Sequence, residues 1–346
     1  MTKMLDIVDD EYQIVLRSVN DPSKEKVIGR INHEDSLNFN DHFRHMYISK
    51  DSGINSRLVE WCRRYDIHDK TVIDGICSVF SSCFLSMDDL DEFFRDVEKN
   101  QIAISPGDVI DYRKEFNDRF QKYLGPMFID MFSQLVFESP KIGRYELLAG
   151  MFFKDMKKCG GDMSGDLVYR EKRIVDVKSG KSNMAGVNHR KTLKDAYATL
   201  TKNRISLLRH TNSRKRHGTM GKSQGLNIFE QLKKKRYSDV HLGRVLGAFL
   251  IYGMIDVSVV VDKFKTISTF KDFETLVMAM QMIDYVRTEG LHHLLMCNNN
   301  RMWLSGNIHE MTFNQVFNEC RKHAATDWSW GFHERSKSLR IYLKDK

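Results

Sequence analysis

The stretch Gly165-Asp166-Leu167-Val168-Tyr169, followed by Arg173-Ile174-Val175-Asp176-Val177-Lys178-Ser179, constrains the fold more than any other part of this 346-residue chain. Val168 and Tyr169 favour a strand, Arg170-Glu171-Lys172 a polar turn, and Arg173-Ile174-Val175 a return strand. Side chains on a strand alternate faces, so Asp176 and Lys178 fall on one face and Val175 and Val177 on the other. A strand this apolar normally buries both faces. An acid and a lysine one step apart on it therefore need compensation, because unpaired buried charges are expensive. A divalent-metal site that activates water for phosphodiester cleavage would supply a reason for them.

An acid and then, ten positions on, acid-x-Lys resembles the signature of the restriction-endonuclease-like nucleases, written PD-(D/E)xK. Asp166 matches the first acid, Asp176 the second and Lys178 the lysine. Glu146, in Gly143-Arg144-Tyr145-Glu146-Leu147-Leu148-Ala149-Gly150, matches an acid that this family carries on the helix before the hairpin. The upstream Gly-x-x-Glu followed by a small apolar helix resembles phage-encoded members. The chain departs from the written motif in having Gly165 in place of Pro and Asp176 where Glu is commoner. Asp162 lies four residues before Asp166; Asp166 is preferred because it abuts the strand-like Leu167-Val168-Tyr169.

The resemblance implies a catalytic set of Glu146, Asp166, Asp176 and Lys178. Asp166, Asp176 and the main-chain carbonyl of Val177 would hold Mg²⁺ (or Mn²⁺), with Glu146 reaching the metal through water or completing a second site. Mg²⁺ suits such a set, since it prefers oxygen ligands and is usually held by one or two carboxylates, water and substrate phosphate. Lys178 would orient or deprotonate the attacking water, or neutralise the phosphate. The implied fold is α/β (α+β), with a mixed central sheet flanked by helices.

Charge placement bears on the substrate. The chain carries +8 overall. From Arg170 to Arg236 there are 19 Lys/Arg against four Asp/Glu, a net +15, so the remainder is −7. A basic segment directly after the hairpin is what a polyanion surface needs. Lys181, Arg190, Lys191, Arg214, Lys215, Arg216, Lys233, Lys234, Lys235 and Arg236 are the candidate nucleic-acid contacts. Such phosphate contacts carry no sequence specificity by themselves. The expected function is hydrolysis of DNA, favoured over RNA with the choice left open by the sequence, by a Mg-dependent endo- or exodeoxyribonuclease, and two alternatives stand beside it. One is a catalytically inactive nucleic-acid-binding or virion-associated structural protein; the other is a module whose basic segment meets an acidic protein.

Composition narrows the remaining classes. No run approaches the ~20 apolar residues that span a bilayer, and Val245 to Val261 is interrupted by Gly247, Gly253 and Asp256. The N-terminus lacks the apolar core of a signal peptide, so no membrane partner and a cytoplasmic location are expected, in a host cell or virion if the gene is phage-encoded. The six cysteines contain no Cys-x-x-Cys, which argues against a zinc ribbon or a disulfide framework. His189 and His292-His293 lack a second pair at ligand spacing. Gly221-Lys222-Ser223 resembles the end of a P-loop, but Arg216 stands where its first glycine belongs. A homodimer or a phage protein partner would suit double-strand cleavage.

Three regions are expected: 1–135, mainly helical; 136–265, the nuclease-like core with a basic insertion at about 190–236; and 266–346, a C-terminal α/β region. Tyr12 to Leu16 is strand-like. Ser86 caps a helix from Met87 with acids in its first turn. Ser105-Pro106 opens another through Phe116, Phe120 and Tyr123, and Ser139-Pro140 a third carrying Glu146. Lys191 to Arg209 forms an amphipathic helix with Leu193, Ala196, Tyr197 and Leu200 as its stripe. Ile255 to Val261 suits a buried strand, Phe273 to Tyr285 a helix, and Trp328, Trp330 and Phe332 a packed hairpin.

Overall fold

A computed structural model describes residues 2–8, 11–17, 25–32, 52–65, 67–81, 83–84, 86–124, 143–159, 165–170, 172–179, 193–206, 222–250, 252–253, 255–297, 300–333 and 338–343. The protein is helix-rich and mixed α/β, and it divides into two compact units. One comprises Met1–Ile104, Ile110–Met163 and Leu167–Glu171; the other comprises Ser105–Val109, Ser164–Asp166 and Lys172–Lys346.

The first unit opens with an antiparallel sheet of β1 (Thr2–Val8), β2 (Glu11–Arg17) and β3 (Glu25–Asn32), in a region where the sequence suggests short strand-like pieces, Tyr12 to Leu16 among them. Helices α1 (Ser52–Arg64), α2 (Lys70–Ser81) and α3 (Met87–Lys99) follow, then β4 (Val109–Asp111), whose first residue is counted with the second unit, α4 (Tyr112–Leu124) and α5 (Arg144–Phe152). Strands β5 (Met156–Lys158) and β6 (Leu167–Tyr169) pair antiparallel, Met156 opposite Tyr169. Aromatic rings fill the helical core. Trp61 stacks on Phe94 at 4.8 Å and meets Phe80, Phe93 and Phe152 edge-on at 5.2, 5.8 and 6.1 Å. The Ser86 cap forms as the sequence predicts, its hydroxyl accepting from Asp89 N–H at 3.2 Å.

The expected helix start at Ser105-Pro106 is not found. Asp108 N–H donates to Ser105 C=O at 2.9 Å and Gly107 has φ +91°, so Ser105–Asp108 is a tight turn. Pro fits the second position of such a turn as readily as the first turn of a helix, and a glycine at positive φ after it selects the turn. Helix α4 begins only at Tyr112, after Asp111 has accepted from Lys114 N–H at 3.1 Å. The expected start at Ser139-Pro140 lies outside the described residues.

The second unit is built on β7 (Arg173–Ser179), and continues through helices α6 (Leu193–Lys202), α7 (Lys222–Lys234), α8 (Asp239–Leu246), α9 (Val257–Thr266) and α10 (Phe270–Thr288). Strands β8 (His293–Cys297) and β9 (Arg301–Leu304), helix α11 (Phe313–Asp327) and the hairpin β10 (Trp328–His333) and β11 (Ser338–Leu343) complete it. Strand β8 pairs parallel with β7, Asp176 opposite Leu294, and antiparallel with β9. Every residue of β8 is buried.

Helix α10 is buried almost all round, from Thr275 to Val286, as a helix in the middle of a core must be. Three of its buried polar side chains make hydrogen bonds, although Gln281 Oε1 has no partner among the described residues. Thr275 Oγ1 donates to Lys271 C=O at 3.0 Å, Gln281 Nε2 to Phe249 C=O at 3.0 Å, and Asp284 Oδ2 accepts from Tyr252 N–H at 2.8 Å.

Ile255 to Val261, expected as a strand, is instead the start of α9. Asp256 caps it, accepting from Ser258 N–H at 2.9 Å, and Val260, Val261 and Phe264 are buried at helical spacing while Val259 is exposed. Capping and a one-sided apolar stripe outweigh the strand preference of β-branched residues. Helix α6 is shorter than expected because Arg204 adopts φ +61°. Ile205 N–H then donates to Leu200 C=O at 3.0 Å and Arg204 N–H to Thr201 C=O at 2.9 Å. This is the Schellman arrangement that terminates helices, with an arginine where glycine is usual.

Ile283, wholly buried on α10, and Thr269, whose hydroxyl caps it, give a graded test. In urea titrations Ile283→Ala is expected to destabilise by about 2–5 kcal/mol and Thr269→Ala by about 1 kcal/mol.

Candidate active site

Strand β7 places Asp176 and Lys178 on one face of the second unit's sheet, as a period of two requires. Asp176 is only 6% exposed. Its Oδ2 receives Lys178 Nζ at 2.5 Å and the Tyr285 hydroxyl at 3.1 Å. Lys178 Nζ also lies 4.8 Å from the centre of the Tyr285 ring, so the ammonium sits between a carboxylate and an aromatic face. Asp166 enters from the segment just before β6. Its main-chain N–H donates to Val175 C=O at 3.0 Å, and its Oδ2 accepts from Val177 N–H at 2.7 Å. Asp166, Asp176 and Lys178 are thus gathered about Val177.

Gly165 explains why Asp166 can approach so closely. A Cβ at this position would overlap the Ile174 γ2-methyl and stand 3.1 Å from the Val175 carbonyl oxygen. Glycine at position 165 is therefore required by packing.

Tyr285 was not anticipated. It lies 109 residues from Asp176 along the chain, and nothing in its local sequence sets it apart from the rest of an apolar helix. Burial, and then the Asp176 carboxylate beside it, hold its phenol well above the ordinary tyrosine range.

Glu146 belongs to the other unit, in the first turn of α5. Its carboxylate folds back over Gly143: a Cβ on that glycine would lie 2.6 Å from Glu146 Oε1. An acid at the third helical position, turned towards the capping residue, suits the positive end of a helix. Among the described residues, no three His, Cys, Asp or Glu side chains converge as a ligand group for a metal. The donor chemistry at Val177, two carboxylates on either side of one peptide unit, still matches what Mg²⁺ prefers. The Asp176 Oδ1 atom takes part in neither the Lys178 nor the Tyr285 contact.

Of the histidines noted in the sequence, His189 lies outside the described residues, and His292 and His293 make structural hydrogen bonds. His293 is fully buried with Nδ1 2.9 Å from Ser305 C=O, and His292 Nδ1 accepts from Ile174 N–H at 3.1 Å. Burial lowers the pKa of both. All six cysteines are free thiols. Burial raises Cys62 to about 12 and Cys77 to about 11, which makes them poor nucleophiles.

The basic candidates divide. Lys181, Arg190, Lys191, Arg214, Lys215 and Arg216 lie outside the described residues. Lys233 Nζ donates to Phe264 C=O at 2.9 Å and covers the Phe264 ring at 4.4 Å. Lys234 pairs with Glu230 at 3.7 Å, and Lys235 Nζ donates to Arg204 C=O at 3.3 Å. Arg236 lines a cavity.

Comparison with protein-family models, curated proteins and solved structures finds no match to this chain.

Two substitutions probe the cluster. Gly165→Ala forces the strand ends apart and is expected to destabilise by about 1–3 kcal/mol in denaturant titration. Tyr285→Phe removes a donor from a buried carboxylate and should cost about 1–3 kcal/mol near neutrality. In the unfolded chain a tyrosine loses its proton near pH 10, whereas the folded protein retains the Tyr285 proton beyond that. The native state then binds more protons, so stability falls as pH rises past about 10. The stability gap between wild type and Tyr285→Phe should be full at about pH 8 and shrink towards about pH 11. A pH-independent gap would contradict the assignment.

Proposed function

We propose that this protein is a metal-dependent nuclease that hydrolyses DNA phosphodiester bonds. The observation that carries the reading is the Asp176–Lys178 pair on β7, its carboxylate buried, with Asp166 bound to the intervening Val177 amide. A strand inside a sheet has no structural need for that arrangement, and an acid-x-Lys site has a chemical one. Asp166, Asp176 and the Val177 carbonyl would hold Mg²⁺ or Mn²⁺. A bound ion of this kind lowers the pKa of its water and stabilises charge on a phosphate.

The chain's own groups have separable tasks. Lys178 brings a cation to the scissile phosphate and a proton donor or acceptor to the attacking water. Tyr285 holds Asp176 by Oδ2 alone and so orients Oδ1. The Val177 amide fixes Asp166 in the same way. The excess of cations between Arg170 and Arg236 would meet the polyanionic backbone. A role for Glu146 rests on the family resemblance.

One observation favours a second reading, a catalytically inactive nucleic-acid-binding or virion-associated structural protein. Asp176 Oδ2 already receives an ammonium and a hydroxyl, so its charge is balanced by the chain itself.

Purified protein with Mg²⁺ is expected to nick or degrade DNA, and Asp176→Asn or Lys178→Met to reduce the rate by about 10²-fold or more, with DNA affinity retained. Full activity in both variants would exclude this site. Salt-sensitive DNA binding by the wild type with no Mg²⁺-dependent product would select the second reading.

A further inference from the structure

A cavity of about 1010 Å³ opens in the second unit where the C-terminal ends of α6 and α7 meet the N-terminal half of α8. Four cations line it: Lys202 and Arg204 at the end of α6, Arg236 just beyond α7, and Arg244 on α8. Among the described residues, no carboxylate does. Among the described residues none of the four makes an ion pair. Exposed cations nearby do find acids: Lys234 pairs with Glu230, and Lys265 with Asp239 at 2.7 Å. That last contact matters, because Asp239 follows the lining residue Ser238 and is drawn instead to α9. Like charges facing one concavity repel unless an anion sits among them.

Several polar groups of the remaining lining are fixed in place. Asn203, 7% exposed, donates through Nδ2 to Thr199 C=O at 2.7 Å, and its own carbonyl lies 2.9 Å from His241 Nε2. A carbonyl only accepts, so Nε2 carries the proton and the ring is held in one tautomer. The His241 ring stacks on Tyr237 at 4.3 Å and 10°, forming a rigid aromatic wall. The Tyr237 hydroxyl is buried with no hydrogen-bond partner among the described residues. Arg204 is held at φ +61°, a conformation that disfavours any side chain but glycine's. An arginine is thus kept in the cavity lining at the expense of local backbone comfort.

We propose that this cavity binds a nucleoside phosphate, either free or as the terminal nucleotide of a strand. The cations take the phosphate, Arg side chains being suited to bidentate contact with it, and the Tyr237–His241 wall lies against the base. The cavity is large enough for a ligand of that size. The site is separate from the carboxylates at Val177 and needs no metal, so it stands or falls apart from the nuclease reading.

The test is calorimetric titration in EDTA with two probes, ATP and a 5′-phosphorylated tetrathymidylate, on the wild type and on Arg204→Gly, Arg236→Gln and Arg244→Gln. Removing one charge-assisted contact should weaken the bound probe by about tenfold. Tighter binding of ATP assigns a free nucleotide, and tighter binding of the oligonucleotide assigns a strand terminus. Arg204→Gly is the decisive variant, because glycine suits φ +61° and the melting temperature should hold or rise while affinity falls. A merely structural Arg204 would leave affinity unmoved. Failure of both probes to bind, or binding that Arg204→Gly and Arg244→Gln leave unchanged, would overturn the proposal.

Discussion

A carboxylate inside a sheet is tolerable only if the fold brings it partners, and Asp176 is the case on which the second unit turns. Stranding one ion of a buried pair typically costs about 3–5 kcal/mol, because the other is left uncompensated. Lys178 comes with the same strand at no topological expense, two residues on. Tyr285 does not. It reaches Asp176 only once α10 has docked against β7, and the same docking covers the Lys178 ammonium with an aromatic face. The charged site and the main helix of the unit are therefore specified together.

Helix α10 meets that requirement through its polar residues. Gln281, Asp284 and Tyr285 are buried among apolar neighbours, and each is bound to a different element. Gln281 holds the Phe249 carbonyl, Asp284 the Tyr252 amide and Tyr285 the Asp176 carboxylate. Apolar packing alone tolerates small slips along a helix axis. A hydrogen bond left unmade in the core does not, since the stranded group keeps its full desolvation penalty. Three such bonds within five residues fix the rotation of α10, and with it the position of the tyrosine at the site.

These contacts mark what the sequence could and could not disclose. The shared face of Asp176 and Lys178 follows from strand periodicity alone, as the Ser86 cap follows from its acids. The tail hairpin and the helix through Phe273 to Tyr285 were also legible, both from local pattern. Where two local signals compete, the pattern misleads: Val257 to Val261 carries strand-forming residues behind a helix cap, and Pro106 serves a turn or a helix equally. Asp256, which caps the helix, and Gly107, at positive φ, decide those cases. Tyr285 was not visible at all. A partner 109 residues away leaves no trace in local spacing.

The basic segment shows the same limit in electrostatic form. A charge count treats Lys233, Lys234, Lys235 and Arg236 as one cluster available to a polyanion. In the fold, Lys233 anchors α7 to the end of α9, Lys234 is neutralised by Glu230, and Lys235 secures the carbonyl of Arg204. The three lysines are engaged by the protein, while Arg236 joins Lys202, Arg204 and Arg244 around one cavity. Lys235 even supports that cavity indirectly, since it holds the backbone of Arg204 in the conformation that closes α6. Surplus charge becomes a site only where the fold withholds its own acids, and α8 does so by turning Asp239 towards Lys265.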